Sequence, residues 1–216
     1  MKSLALPGVV AGIVLPDSRL AREATQLAFE ASDPFLFNHV MRTYVFAALL
    51  GARRGLHFDP ELVYVSSVLH DLGLTHRHET PDRRFEVDGA FAAREFMEGH
   101  EQDPVRTQLV WDAVALHSSF GIAAYKEPDI ALVHLGTSVD GGGYIDEIGR
   151  AVVDEVNLAF PRLGYKKEML AALVGVARRK PQTAFGNVLS DIGRLCVHGF
   201  KTVNVVERIE ASPFPD

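Results

Sequence analysis

The stretch VYVSSVLHDLGLT, Val63 to Thr75, sets a histidine and an aspartate side by side at the end of an otherwise apolar run. Burying either group unpaired costs several kcal/mol, on the order of the stability margin of a small domain. His70 and Asp71 therefore each require a partner: a charge, a hydrogen bond or a metal ion. Whatever supplies it must come from elsewhere in the chain, so this point is where separate elements have to meet.

Outward from this run, apolar residues recur at helical spacing and one start signal repeats: Asp33-Pro34, Asp59-Pro60 and Asp103-Pro104. The aspartate accepts from the free N–H groups of a first turn, and proline at the first helical position gives up no needed donor. These signals open helices over Pro34 to Arg54, Pro60 to Asp71 and Pro104 to His117. The same periodicity marks Ser18 to Ala31, Phe85 to Glu98, Asp129 to Asp140, Tyr144 to Asn157, Lys166 to Arg178 and Phe185 to His198. Strand alternation is scarce, there is no internal repeat, and Gly141 to Gly143 reads as a helix break. The expectation is one all-α domain over residues 18–216, preceded by an arm over 1–17.

With 216 residues, 47% hydrophobic and 23% charged, the chain has ample material for one core. A net charge of -6 argues against nucleic acid polymers and anionic membranes, which need a basic face. The expected partner is a small-molecule substrate; monomer and homodimer stay equally open. The lone cysteine, Cys196, excludes an internal disulfide, fits a reducing compartment and is expected to pack as a small apolar residue. The N-terminal MKSLALPGVVAGIVLP holds Pro7 and Pro16, lacks a clear A-x-A site and falls short of the roughly 20 apolar residues of a bilayer span. It reads as a packed arm of a cytoplasmic protein.

Among polar residues inside apolar helices, His39 lies in the second turn of FLFNHVMRTYVFAALL, His70 and Asp71 end the next helix, and Asp140 ends DIALVHLGTSVD. Two imidazoles and two carboxylates suit Zn, Fe(II) or Mn(II), and a metal so held brings the pKa of bound water to about 7. On the residues alone, a core histidine bonded to a carbonyl accounts for His39 equally well.

The order H…HD…D resembles the HD-domain superfamily of metal-dependent phosphohydrolases. More closely, FNHVMRTYVF, LHDLGLT, RRFEVDGAFAAREFM, ALHSS and IALVHLGTSVDGGG, covering about Phe37 to Gly143, resemble its cyanamide hydratase-like branch. The resemblance implies an HD-type helical bundle holding one divalent metal, zinc before Fe2+ or Mn2+, on His39, His70, Asp71 and Asp140. Members with two metals carry further histidines after the HD pair; here only His117 is available, which argues against a second ion. The implied reaction is hydration or hydrolysis of a small nitrile or amide-like substrate, with Glu86 or His117 relaying a proton. Phe37, Phe85 and Phe120 would wall the pocket, with Ser118 touching substrate, although aromatic residues at helical spacing read equally as core. Glu86 reads equally as a helix-start charge.

Two alternatives stand beside this reading. A phosphohydrolase of nucleotides or other phosphomonoesters would need Arg83 or Arg84 to face the pocket, since no lysine follows Asp71. A non-catalytic HD module would keep the fold without turnover. His57, His76, His78, His100, His134 and His198 are taken as surface or core residues, and the segment after Tyr144 carries no assigned motif.

Overall fold

The apolar spacing becomes helix almost element by element. The computed structural model describes residues 4–214, and the regular structure among them is helical except for one small hairpin, β1 (Val9–Val10) and β2 (Ile13–Val14). Buried Val10 and Leu15 lay this segment against the core ahead of α1 (Arg19–Ala31).

At the centre runs α2 (Pro34–Arg53), 20 residues and so about 30 Å long. It is long and apolar enough to span a bilayer, yet it is buried on nearly every side by α3 (Pro60–Leu69), α6 (Pro128–Asp140) and their neighbours, as a helix apolar all round should be in a large core. Asp59 caps α3 by accepting from Glu61 and Leu62 N–H, and Asp103 caps α5 (Pro104–Leu116) through Val105 and Arg106. Asp33, expected to act alike, makes no side-chain cap; its backbone carbonyl alone accepts from Leu36 and Phe37.

Two close approaches fix the HD turn in place. A Cβ on Gly73 would stand 1.9 Å from Phe85 O, and one on Gly89 would stand 2.9 Å from His70 O, so only glycine lets α4 (Phe85–Gly99) press its first turns onto His70 and Asp71. The HDLG and EVDGA motifs are thus two halves of one contact.

The helix expected over Tyr144 to Asn157 is two, α7 (Ile145–Ile148) and α8 (Arg150–Ala159), divided at Gly149, whose φ of 90° no helix tolerates. Beyond it come α9 (Tyr165–Arg179), α10 (Val188–Cys196) and α11 (Val205–Glu210), the last not foreseen. The C-terminal helices pack through a small separate cluster of Phe85, Val176, Ala184 and Leu189. A buried ion pair adds to it: Lys180 Nζ donates to Asp88 Oδ2 at 2.8 Å and to Thr80 O at 3.1 Å, tying the end of α9 to the start of α4. Cys196, expected to be packed, is exposed at the end of α10, beyond the buried Leu189 and Gly193.

Candidate functional site

Helices α2, α3 and α5 each bring one histidine to the Asp71 carboxylate. His39 Nε2 lies 3.4 Å and His70 Nε2 3.1 Å from Asp71 Oδ2, and His117 Nε2 lies 3.6 Å from Oδ1. All four side chains are buried. Ligand atoms of His39, His70 and Asp71 fall within 4.8 Å of one another.

The other nitrogen of each ring decides what these atoms can do. His70 Nδ1 donates to Ser67 O and His117 Nδ1 to Val114 O, both at 2.7 Å, because each histidine closes a helix whose last carbonyls lack partners. His39 Nδ1 donates to Asp140 Oδ2 at 2.7 Å. With every Nδ1–H committed outward, the neutral rings aim their Nε2 lone pairs inward, the arrangement of metal-binding histidines. His70 Nε2 is buried with no hydrogen bond despite its closeness to Asp71. An orphaned ring nitrogen beside a carboxylate and two further imidazoles fits a divalent cation of the zinc type.

Protonation agrees. Burial would raise the Asp71 carboxyl, but His70, then His39 and His117, hold it far below its usual range. Burial lowers His39 against the pull of Asp140, and burial together with His70 pushes His117 down to about 4. Burial opposes a proton on His70 too, yet Asp71 outweighs it and raises that ring. Asp71, His39 and His117 are thus held in the states a metal ligand needs, whereas His70 must give up a proton as a cation binds.

Asp140 stands one layer behind, a departure from the expected ligand quartet. Both its oxygens are engaged: Arg42 Nε and Arg162 donate to Oδ1 at 2.7 and 2.6 Å, while Arg42 and His39 share Oδ2 at 2.7 Å each. Arg42, three residues after His39 on α2 and fully buried, also donates to Phe160 O at 3.0 Å. Tyr165 covers the group, its ring 5.0 Å from that of His39 and 4.4 Å from the Arg162 guanidinium. Asp140 therefore orients His39, and two arginines balance its charge. Arg42 was visible in the sequence as a charge inside FLFNHVMRTYVF; Arg162 and Tyr165 carried no such mark.

Glu86 is fully buried and is not among the residues that line the cavity. It accepts from Ser118 Oγ at 2.6 Å and from Arg84 at 3.0 Å. Burial would raise its carboxyl, but Arg84 lowers it, leaving a weak base. Phe37 belongs to the core, edge-on to Phe29 at 5.2 Å, and does not wall the site. Phe85, Phe120 and Ser118 do line the cavity, which measures about 600 Å³. Arg83 lies over the Phe91 ring at 4.7 Å, outside that cavity, and Arg84 is paired with Glu86.

One lining residue was set aside on the sequence alone. His134 Nδ1 donates to His117 O at 2.7 Å, so its Nε2 is an acceptor on the cavity side. Its position one helical turn before Thr137 and Ser138, ahead of Asp140 on the same helix, was the available signal.

Residues 36–153 match the HD domain family. Two curated relatives, the cyanamide hydratases DDI2 and DDI3 of Saccharomyces cerevisiae, are each 24% identical over 173 residues, 77% of this chain and 76% of theirs.

Proposed function

This chain belongs to the HD domain family, and on that premise we propose a metal-dependent hydrolase in which His39, His70, Asp71 and His117 hold one divalent cation, zinc by the preference of an imidazole-rich set. The proposed reaction adds water to the carbon of a nitrile or amide-like substrate. The observation that carries it is the convergence of three Nε2 atoms on the Asp71 carboxylate with every Nδ1–H fixed elsewhere. When bound, such a cation acidifies water and polarises the substrate.

The chain's own groups supply the rest. Water adding to a nitrile or amide carbon must lose a proton while the substrate nitrogen gains one. His134 Nε2, held as an acceptor by its bond to His117 O, is the side chain suited to move that proton. Glu86 supports the site through Ser118, and Asp140 through His39. Kinship with two cyanamide hydratases favours carbon chemistry. Against phosphomonoesters stands the cavity lining, which contains no arginine or lysine among the described residues.

The test is to purify the protein without chelator, count zinc, iron and manganese per chain, and offer cyanamide, nitriles, amides and nucleoside monophosphates to one preparation. Turnover of amides or nitriles with near-stoichiometric metal is expected. Turnover of nucleotides alone would overturn the chemistry, and full metal occupancy in His117→Ala would overturn the ligand set.

A further inference from the structure

The polar groups around the cavity mostly have their hydrogens spent. Ser118 Oγ donates to Glu86, and Thr137 and Ser138 Oγ donate to His134 O at 2.7 and 2.9 Å. His134 gives its Nδ1–H to His117 O. These side chains offer lone pairs to the cavity, next to the Asp71 carboxylate. Only the phenols of Tyr144 and Tyr165 line it with an O–H not already given away among the described residues. Away from the metal ligands an anion would meet mostly acceptors, whereas a neutral N–H donor would meet partners.

Away from this polar end the wall is apolar: Leu74, Phe85 and Phe120, then Met169, Leu173 and Val188 from α9 and α10. A volume of about 600 Å³ lies within the ~300–1,000 Å³ of sites that enclose ligands of aryl size. Cyanamide, with three heavy atoms, would leave most of it wet.

We propose that the site takes a neutral molecule with an N–H-bearing head, of the carboxamide or cyanamide type, joined to an apolar body of about two fused rings. The head lies among His134, Ser118 and Thr137, and the body lies against Met169, Leu173 and Val188. Those three residues stand outside the family match at 36–153, so they set what this chain accepts. The inference rests on the proposed carbon chemistry for the nature of the head, and on the cavity alone for the body.

Calorimetry on the protein as isolated, repeated after chelation, separates the two. The probes are acetamide, 2-naphthamide, N,N-dimethyl-2-naphthamide and 2-naphthyl phosphate. 2-Naphthamide should bind about 100-fold tighter than acetamide, from its added non-hydrogen atoms. Dimethylation should cost about 10-fold by removing the N–H donors, and after chelation the phosphate should bind weakest. Leu173→Trp, at a half-buried position, should shrink the naphthyl advantage to under about 10-fold; Met169→Trp is the second variant should the first fail to fold. A flat series, or tightest binding of the phosphate to the chelated protein, overturns the inference. The expected series without turnover of any amide or nitrile upholds the pocket and overturns the chemistry.

Discussion

At one end of the cavity, His39, His70 and His117 come from helices packed into the main core, and each ring is fixed through its Nδ1 to a carbonyl or carboxylate. At the other, Met169, Leu173 and Val188 come from α9 and α10, which rest on a cluster of four buried apolar residues and on the Lys180–Asp88 pair. Hydrogen bonds fix direction, whereas apolar contacts fix little more than volume. The metal end can therefore hold donor atoms to a set geometry, and the wall can be recut by single substitutions without moving those atoms. The family match follows the same division, ending at residue 153, before Met169, Leu173 and Val188.

The largest expected effect breaks the metal end. His70→Ala removes a donor from the centre of the site, so bound metal and turnover should fall together to background, measured by elemental analysis and a fixed-time assay. A variant that keeps its metal would place the cation elsewhere. Breaking the wall should look different. Lys180→Met leaves Asp88 buried and charged, which costs about 3–5 kcal/mol when one partner of a buried pair is removed. Thermal unfolding should show that loss while metal content stays near that of the native protein. Loss of metal from Lys180→Met would mean the two ends fold as one unit.

Asp140→Asn sharpens the comparison at the layer behind the ligands. A carboxylate that orients a metal-binding histidine typically contributes 10- to 100-fold in metal affinity, against near-total loss for a ligand. A chelator titration should place Asp140→Asn about 10- to 100-fold weaker, with His117→Ala far weaker still. The reverse order would restore Asp140 as the ligand.

What the sequence disclosed divides along the same line. Helix existence was legible because 3.6-residue spacing and Asp-Pro starts act locally, and the HD turn was legible because buried polar residues need partners. The layer occupied by each polar group was not. Asp140 and His117 both end apolar helices, and only the arginines closing around Asp140 set it behind His39. Arg162 sits 22 residues from Asp140, a partnership that depends on the chain path through α7 and α8. The wall had least to announce itself, since Met169, Leu173 and Val188 are ordinary apolar residues whose exposure to a cavity depends on how α9 and α10 dock.

The smallest expected effect lies at the seam, where Glu86 follows the wall residue Phe85 and touches Ser118 beside His117. Glu86→Gln keeps an oxygen to accept from Ser118 but loses the charge that pairs with Arg84. Were Glu86 the proton carrier, its loss should cost about 100-fold or more in kcat with stability little changed. Its geometry gives the opposite expectation. The carboxylate does not reach the cavity and is held ionised by Arg84, so kcat should fall less than about 10-fold, while the buried hydrogen-bonded charge should cost about 1–3 kcal/mol in unfolding. Because the Arg84 side chain is one-third exposed, water screens that pair and the lower end of the range applies. Parallel measurement of His134→Gln closes the choice. It should lose about 100-fold in kcat with metal retained if its Nε2 moves the proton, and a larger loss in Glu86→Gln than in His134→Gln would return that role to the glutamate.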